Sequence, residues 1–134
     1  MASLNYSGLD DVYREIAKMG DSAEAAITAM LKAGAREVAE AWRLAIDKFD
    51  LKDSGEMRKA VAPTRNIKGD VGSRFIEIFP QGRDSKGKRN VEKAFLNHYG
   101  VRDGSPATGF VDIAEEYAES MAVPVMREAW EKYK

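Results

Sequence analysis

His98 is the only histidine in the sequence, and histidine is the side chain best suited to moving a proton near neutral pH. It stands in a crowded stretch, KAFLNHYGVRDGSPATGF, from Lys93 to Phe110. Asn97 and Tyr99 are placed to orient an imidazole, so the stretch reads either as an active site or as a hinge. The chemistry around it is thin. The chain has no cysteine, which excludes thiolate nucleophiles, disulfides and cysteine-ligated zinc. One histidine cannot build a multi-histidine metal centre within a single chain. Adjacent carboxylates occur at Asp10–Asp11 and Glu115–Glu116, but neighbours on a helix point about 100° apart and do not converge on one substrate atom. Asp112 with Glu116, and Glu115 with Glu119, do share a face, where they could hold a divalent ion loosely; no third ligand accompanies them. Gly100, Gly104 and Gly109 lack the spacing, and the following Lys-Ser/Thr, of a phosphate loop. A lone histidine among aromatics reads as a packed or hydrogen-bonded side chain. The expectation is therefore no catalytic residue, no metal ligand, no cofactor and no enzyme.

A second candidate is basic. Arg83, Lys86, Lys88 and Arg89 crowd one polar loop, Gln81 to Asn90, opposed only by Asp84 and flanked by Arg74 and Lys93. A flexible basic finger of this kind could contact phosphate, with an affinity that falls steeply with salt. It could equally be a solvated hairpin tip, or dock on an acidic neighbour. No aromatic residue interleaves with the cations, so base stacking has no platform within the loop. The net charge is −1, which gives the whole chain no drive toward nucleic acid or membrane.

The elements that must position these residues follow from periodicity. The chain has 134 residues, of which 44% are hydrophobic and 32% charged. That suits a single domain, 1–134, with one core. Leu9, Val12, Tyr13, Ile16 and Met19 recur at helical spacing. Gly20 can end that helix, and Asp21 with Glu24 can cap a second one from about Ala23 to Phe49. One long kinked helix is the alternative. The second stripe runs through Ile27, Leu31, Gly34, Val38, Ala41, Ala45 and Phe49, with Trp42 beside it; its small residues would let another backbone come close. Asp53 and Glu56 repeat the capping pattern before a short helix, Ser54 to Ala60, and the chain turns extended at Pro63. Val71 to Pro80 is the best strand. Val91 to Gly100 is either its hairpin partner, the preferred reading, or a short helix. Thr108 can cap a last helix bearing Phe110, Ile113, Ala114, Tyr117 and Met121, then Val125, Ala129, Trp130 and Tyr133, with a kink or break expected at Pro124. The fold class expected is α+β: a small antiparallel β-sheet packed against a long N-terminal helix and a C-terminal helix. The opening MASLNYSGLDD does not read as a secretory signal, and no apolar run approaches the ~20 residues of a membrane span. Synthesis in a reducing cytoplasm is expected.

The stretch around His98 also carries a resemblance. Ala94, Phe95, Leu96, Asn97, His98, Tyr99 and Gly100, followed by Pro106, Ala107 and Phe110 and then a long acidic helix, resemble the gp-ten-like tail-component or head–tail joining proteins of long-tailed phages. Members often show Ala-Phe-(Ile/Val)-Asn-Glu-Tyr-Gly and then Pro-Ala-Arg-Pro-Phe; here His98 stands where glutamate is usual, and Thr108 and Gly109 replace Arg-Pro. Gly8 to Asp10 at the first helix, the alanine-rich second helix, and Ser54, Gly55, Glu56 and Met57 resemble the family's upstream half in the same order. The resemblance implies a structural protein of the virion neck or tail, from a free phage or a prophage, made in the bacterial cytoplasm. It implies a ring of identical copies as the working form, with neighbouring neck, connector or tail-tube proteins as partners; the basic loop could then face DNA inside a channel. On the residues alone, Phe95, Tyr99, Gly100, Pro106 and Phe110 form a hinge that aromatics hold and glycines bend, with His98 incidental. The contact surfaces expected are the small-residue stripe of the second helix, the end of the last helix with Trp130 and Tyr133, the exposed ends of the sheet, and the basic loop.

Overall fold

Leu9, Val12 and Ile16 are buried along one side of a helix, as their spacing predicts. In the computed structural model, which describes residues 2–3 as backbone only and 9–20, 23–51, 55–69, 74–100 and 107–133 in full, that helix is α1 (Asp10–Ala17). It follows a two-residue strand, β1 (Ala2–Ser3). Gly20 takes a φ of 63°, a conformation glycine adopts without strain, and the chain restarts as α2 (Ala23–Lys48). Two helices, not one kinked helix, are therefore present. The proposed caps at Asp21 and Asp53 lie outside the described residues. A short helix, α3 (Glu56–Lys59), leads into the strand β2 (Val61–Pro63). Then come β3 (Glu77–Pro80), α4 (Asn90–Tyr99) and α5 (Phe110–Tyr133).

The strands form one antiparallel sheet in the order β1-β3-β2. Ala2 pairs with Ile78, and Val61, Ala62 and Pro63 pair with Pro80, Phe79 and Ile78. Pro63 sits on an edge strand, where a missing N–H costs no ladder bond. The expected strand from Val71 is shorter than its sequence suggests. Val71 to Ser73 lie outside the described residues, Phe75 makes an isolated bridge to Lys68, and the regular strand is Glu77–Pro80. Ile76, Ile78 and Pro80 are buried, whereas Phe75, Glu77 and Phe79 are half-exposed, so the two-residue alternation of a strand lies beneath the adjacent apolar pairs.

The preferred hairpin partner, Val91 to Gly100, is not a strand. The partners of β3 are β1 and β2, and Asn90 to Tyr99 is helix. The hairpin closes for one bridge only, Arg83 to Arg89. Asn90 then donates its backbone N–H to the Gly82 carbonyl (3.0 Å) and its Nδ2 to the Gln81 carbonyl (2.9 Å). Asn90 and Ala94, four residues apart, are the buried positions of α4; that is helical spacing.

The core is a seam between α2 and α5, by far the most extensive contact between any two elements. Ala35, Val38, Ala41 and Ala45 of α2 and Ala114, Ala118 and Ala122 of α5 have no exposed surface. Phe110, the first residue of α5, meets Trp42 edge-on with ring centroids 5.6 Å apart. At the other end of α5, Trp130 donates to Glu15 (3.2 Å) and Arg127 makes a two-bond pair with Asp11 (2.9 and 3.1 Å). These partners belong to α1, just before α2, so α5 runs antiparallel to α2. The sheet rests on α2, and Arg43 of α2 donates to the Val61 carbonyl (2.9 Å). The architecture is α+β, as expected. Of the kink or break expected at Pro124, no break occurs: α5 is helical throughout. Pro124 and Ser120 are both exposed, so the Ser120 carbonyl that loses its N–H partner can be hydrated. Among the described residues, no helix is long and apolar enough to cross a membrane.

Candidate interaction surface

Asp84 organises the basic loop. Its carbonyl accepts the Gly87 N–H (3.0 Å), and Gly87 has a φ of 83°, a tight turn with aspartate first and glycine last. Asp84 Oδ1 accepts the backbone N–H groups of Lys86 and Lys88, each at 2.9 Å. Oδ2 pairs with Lys93 of α4, and the Asp84 side chain is only 5% exposed. The loop is braced from outside by Glu56 of α3, whose carboxylate accepts the Ser85 N–H (2.8 Å) and hydroxyl (3.1 Å). The expected flexible finger is therefore a bonded turn, strutted to two helices.

This bonding sorts the cations. Lys93 is spent on Asp84. Arg74 bonds to Glu24 of α2 (3.4 Å) and to the Gly69 carbonyl, away from the loop. Arg83 donates to the Gly87 carbonyl (2.8 Å), and Arg89 faces Glu92 at 3.7 Å. Lys86 and Lys88 are exposed, and their ammonium groups have no partner among the described residues. Of the four residues named for the loop, two are thus free to meet something else.

The Asp84 carboxylate is held below the usual carboxylate range, first by its hydrogen bond to Lys93 and then by the N–H groups of Lys88 and Lys86. A carboxyl whose pKa is depressed by folding stabilises fully above its unfolded value and loses that contribution as pH falls through the folded one. The turn should therefore stay closed at neutral pH and open on acidification below the ordinary aspartate range. Hydrogen exchange at the Lys86 and Lys88 amides would report this, and Asp84→Ala should show the fast-exchanging state at neutral pH. Unchanged protection in that variant would contradict the role given to Asp84.

The resemblance-bearing stretch splits into a buried half and an exposed half. Phe110 is fully buried, and Gly100, with a φ of 83°, ends α4 by donating its N–H to the Leu96 carbonyl (2.7 Å). Phe95 and Tyr99 do not hold a hinge. They are 62% and 63% exposed, and their rings pack on each other with centroids 4.6 Å apart. Four residues apart on α4, they share one face of that helix. Pro106 lies outside the described residues.

His98 is not incidental either. Its Nδ1 accepts the Val111 N–H at 3.3 Å, which leaves the ring hydrogen to Nε2. Thr108 Oγ1 accepts the Phe110 N–H (3.3 Å) and donates to the Asn97 carbonyl (2.7 Å), and the Asp112 N–H donates to the Gly109 carbonyl (3.0 Å). The first N–H groups of a helix have no partner inside it; here the His98 and Thr108 side chains and the Gly109 carbonyl supply the acceptors. His98 lies edge-on to Tyr99 and Phe110 at 4.4 and 6.3 Å. Asn97 does not orient it, because its Nδ2 donates to the Lys93 carbonyl (2.9 Å). The one imidazole is used as a helix cap.

The outer face of α5 carries Asp112, Glu115, Glu116 and Glu119, all exposed and none in an ion pair among the described residues. Among the described residues, no group of three or more histidine, cysteine or acidic side chains could hold a metal ion. Of the other surfaces expected to make contacts, the small-residue stripe of α2 and Trp130 are committed to the core, while Tyr133 is 48% exposed. Comparison with protein-family models, with curated proteins and with solved structures finds no match.

Proposed function

We propose that the chain is a non-enzymatic structural protein of a tailed phage or prophage, acting in the neck or tail to join head to tail or to complete the tail. It is made in the bacterial cytoplasm, assembles into a ring of identical copies, and ends in the virion beside connector or tail-tube proteins. The observation that carries this reading is the exposed Phe95–Tyr99 pair of α4, an aromatic face left at the surface. Side chains of that kind, held on a helix, suit contact with another surface; aromatic residues are enriched at protein interfaces. The use of His98 as a cap fits the same reading, as does the ordered resemblance from Gly8 to Phe110.

The test is mass in solution, for the 14.9 kDa chain alone and mixed with the products of adjacent genes. A discrete species of several copies in either sample is expected. A chain that stays monomeric in every mixture, and instead binds duplex DNA with an affinity that collapses with salt, would replace this reading with a nucleic-acid module working through Lys86 and Lys88.

A further inference from the structure

Most of the first turn of α5 is capped from nearby in the chain; Val111 is not. The Phe110 and Asp112 N–H groups donate to Thr108 and Gly109, which just precede the helix. The Val111 N–H instead reaches back to α4 and donates to Nδ1 of His98 (3.3 Å). The His98 carbonyl also accepts the Gly109 N–H (3.1 Å). One residue thus holds the joint between α4 and α5 with its ring and with its backbone, and only the ring titrates near neutral pH. An amide N–H needs a lone pair to donate to. Nδ1 offers one while the ring is neutral with its hydrogen on Nε2, and none once both nitrogens carry hydrogen. We infer that His98 makes the α4–α5 joint acid-sensitive: uptake of one proton at Nδ1 removes the acceptor of the Val111 N–H and releases the first turn of α5 from α4.

The protonated ring has nothing to gain in its place. Its new Nδ1–H would point at another N–H, and its charge would lie at the positive end of the α5 macrodipole. No carboxylate of the described residues pairs with it. The elements packed on α4 are α3, β3 and α5. On α3, Glu56 holds Ser85, Arg58 holds Asp47, and Lys59 is exposed. Glu77 of β3 holds Lys68. On α5, Asp112 and Glu115 are exposed and make no ion pair with the ring. On α4 itself, Glu92 faces Arg89, Lys93 holds Asp84, and Tyr99 meets the ring edge-on. His98 is half-buried, so a proton can reach it. Phe110 stays anchored on Trp42, which confines the response to the joint and leaves the rest of α5 folded. The inference is independent of the assembly role.

Nuclear magnetic resonance of the full chain tests it, and the single histidine makes the ring signals unambiguous. At about pH 7.5 the ring should be the Nε2–H tautomer with a bare Nδ1; at about pH 5.5, still above the ordinary carboxylate range, imidazolium should form. The Val111 amide signal should move with the same midpoint as the ring. Its protection from hydrogen exchange, corrected for the intrinsic rate at each pH, should fall about tenfold between the two, while the Ala118 amide in mid-helix keeps its own. His98→Asn places an amide oxygen where Nδ1 stood and does not titrate, so its Val111 protection should be the same at both pH values. His98→Phe has no acceptor and should show the low protection at both. A ring hydrogen on Nδ1 at neutral pH overturns the inference, as does a wild-type Val111 amide that ignores the ring. An acid response in His98→Asn as large as that of wild type overturns it too. The wild-type titration decides the question even where a variant does not fold.

Discussion

Replacing Phe110 with alanine should lower the free energy of unfolding by about 3–5 kcal/mol, the usual cost of emptying a fully buried aromatic site. Phe110 has no exposed surface, opens α5, and meets the Trp42 ring of α2 at 5.6 Å. It also lies 6.3 Å from the His98 ring that caps the same helix. Removing it should therefore loosen both the α2–α5 seam and the entry to α5. Denaturant unfolding measures the loss as a lower midpoint with little change in slope. Combining it with Trp42→Ala should reveal a coupling of about 0.5–1.5 kcal/mol from the edge-on ring pair. Purely additive losses would mean that the two rings only fill space.

Ala118→Leu should have the next largest effect, by the opposite mechanism. Ala118 sits at the middle of the buried alanine run of α5, between Ala114 and Ala122, with no exposed surface. A larger side chain has no room unless α2 and α5 move apart, at a cost of about 1–3 kcal/mol. The neighbouring Glu119→Leu is a useful control. Glu119 is exposed, so the same added bulk should change stability by no more than about 0.5 kcal/mol. Equal effects at the two positions would mean that the helices do not meet on their alanine faces.

How far these features can be read from the residues varies with the element. The first two helices are legible, since Val12 and Ile16, then Leu31, Val38, Ala41 and Ala45, keep a helical period. Gly20 divides the first two as its left-handed φ requires. β2 was not legible as a strand because three residues are too few to show an alternation; only the extended backbone imposed by Pro63 was. Val91 to Gly100 was misread because an adjacent strand invites a hairpin, whereas Asn90 and Ala94 are the residues that dock. The turn at Asp84 carried its signature openly, with aspartate first and glycine fourth. What no local pattern shows is that its carboxylate would reach Lys93 and its neighbour Ser85 would reach Glu56.

The aromatic residues teach the same point. Phe95 and Tyr99 share a face because residues four apart on a helix do, but whether a face is covered depends on what packs there, and these two stay 62% and 63% exposed. The role of His98 was hidden for a related reason. An imidazole that caps a helix thirteen residues later leaves no trace in its immediate neighbours.

The proposal that copies of this chain assemble into a closed ring is met most directly by imaging. Electron micrographs of the wild-type protein, prepared at low salt alone and beside its neighbouring gene products, should show closed rings of uniform diameter. Isolated particles the size of one chain in every preparation would contradict it.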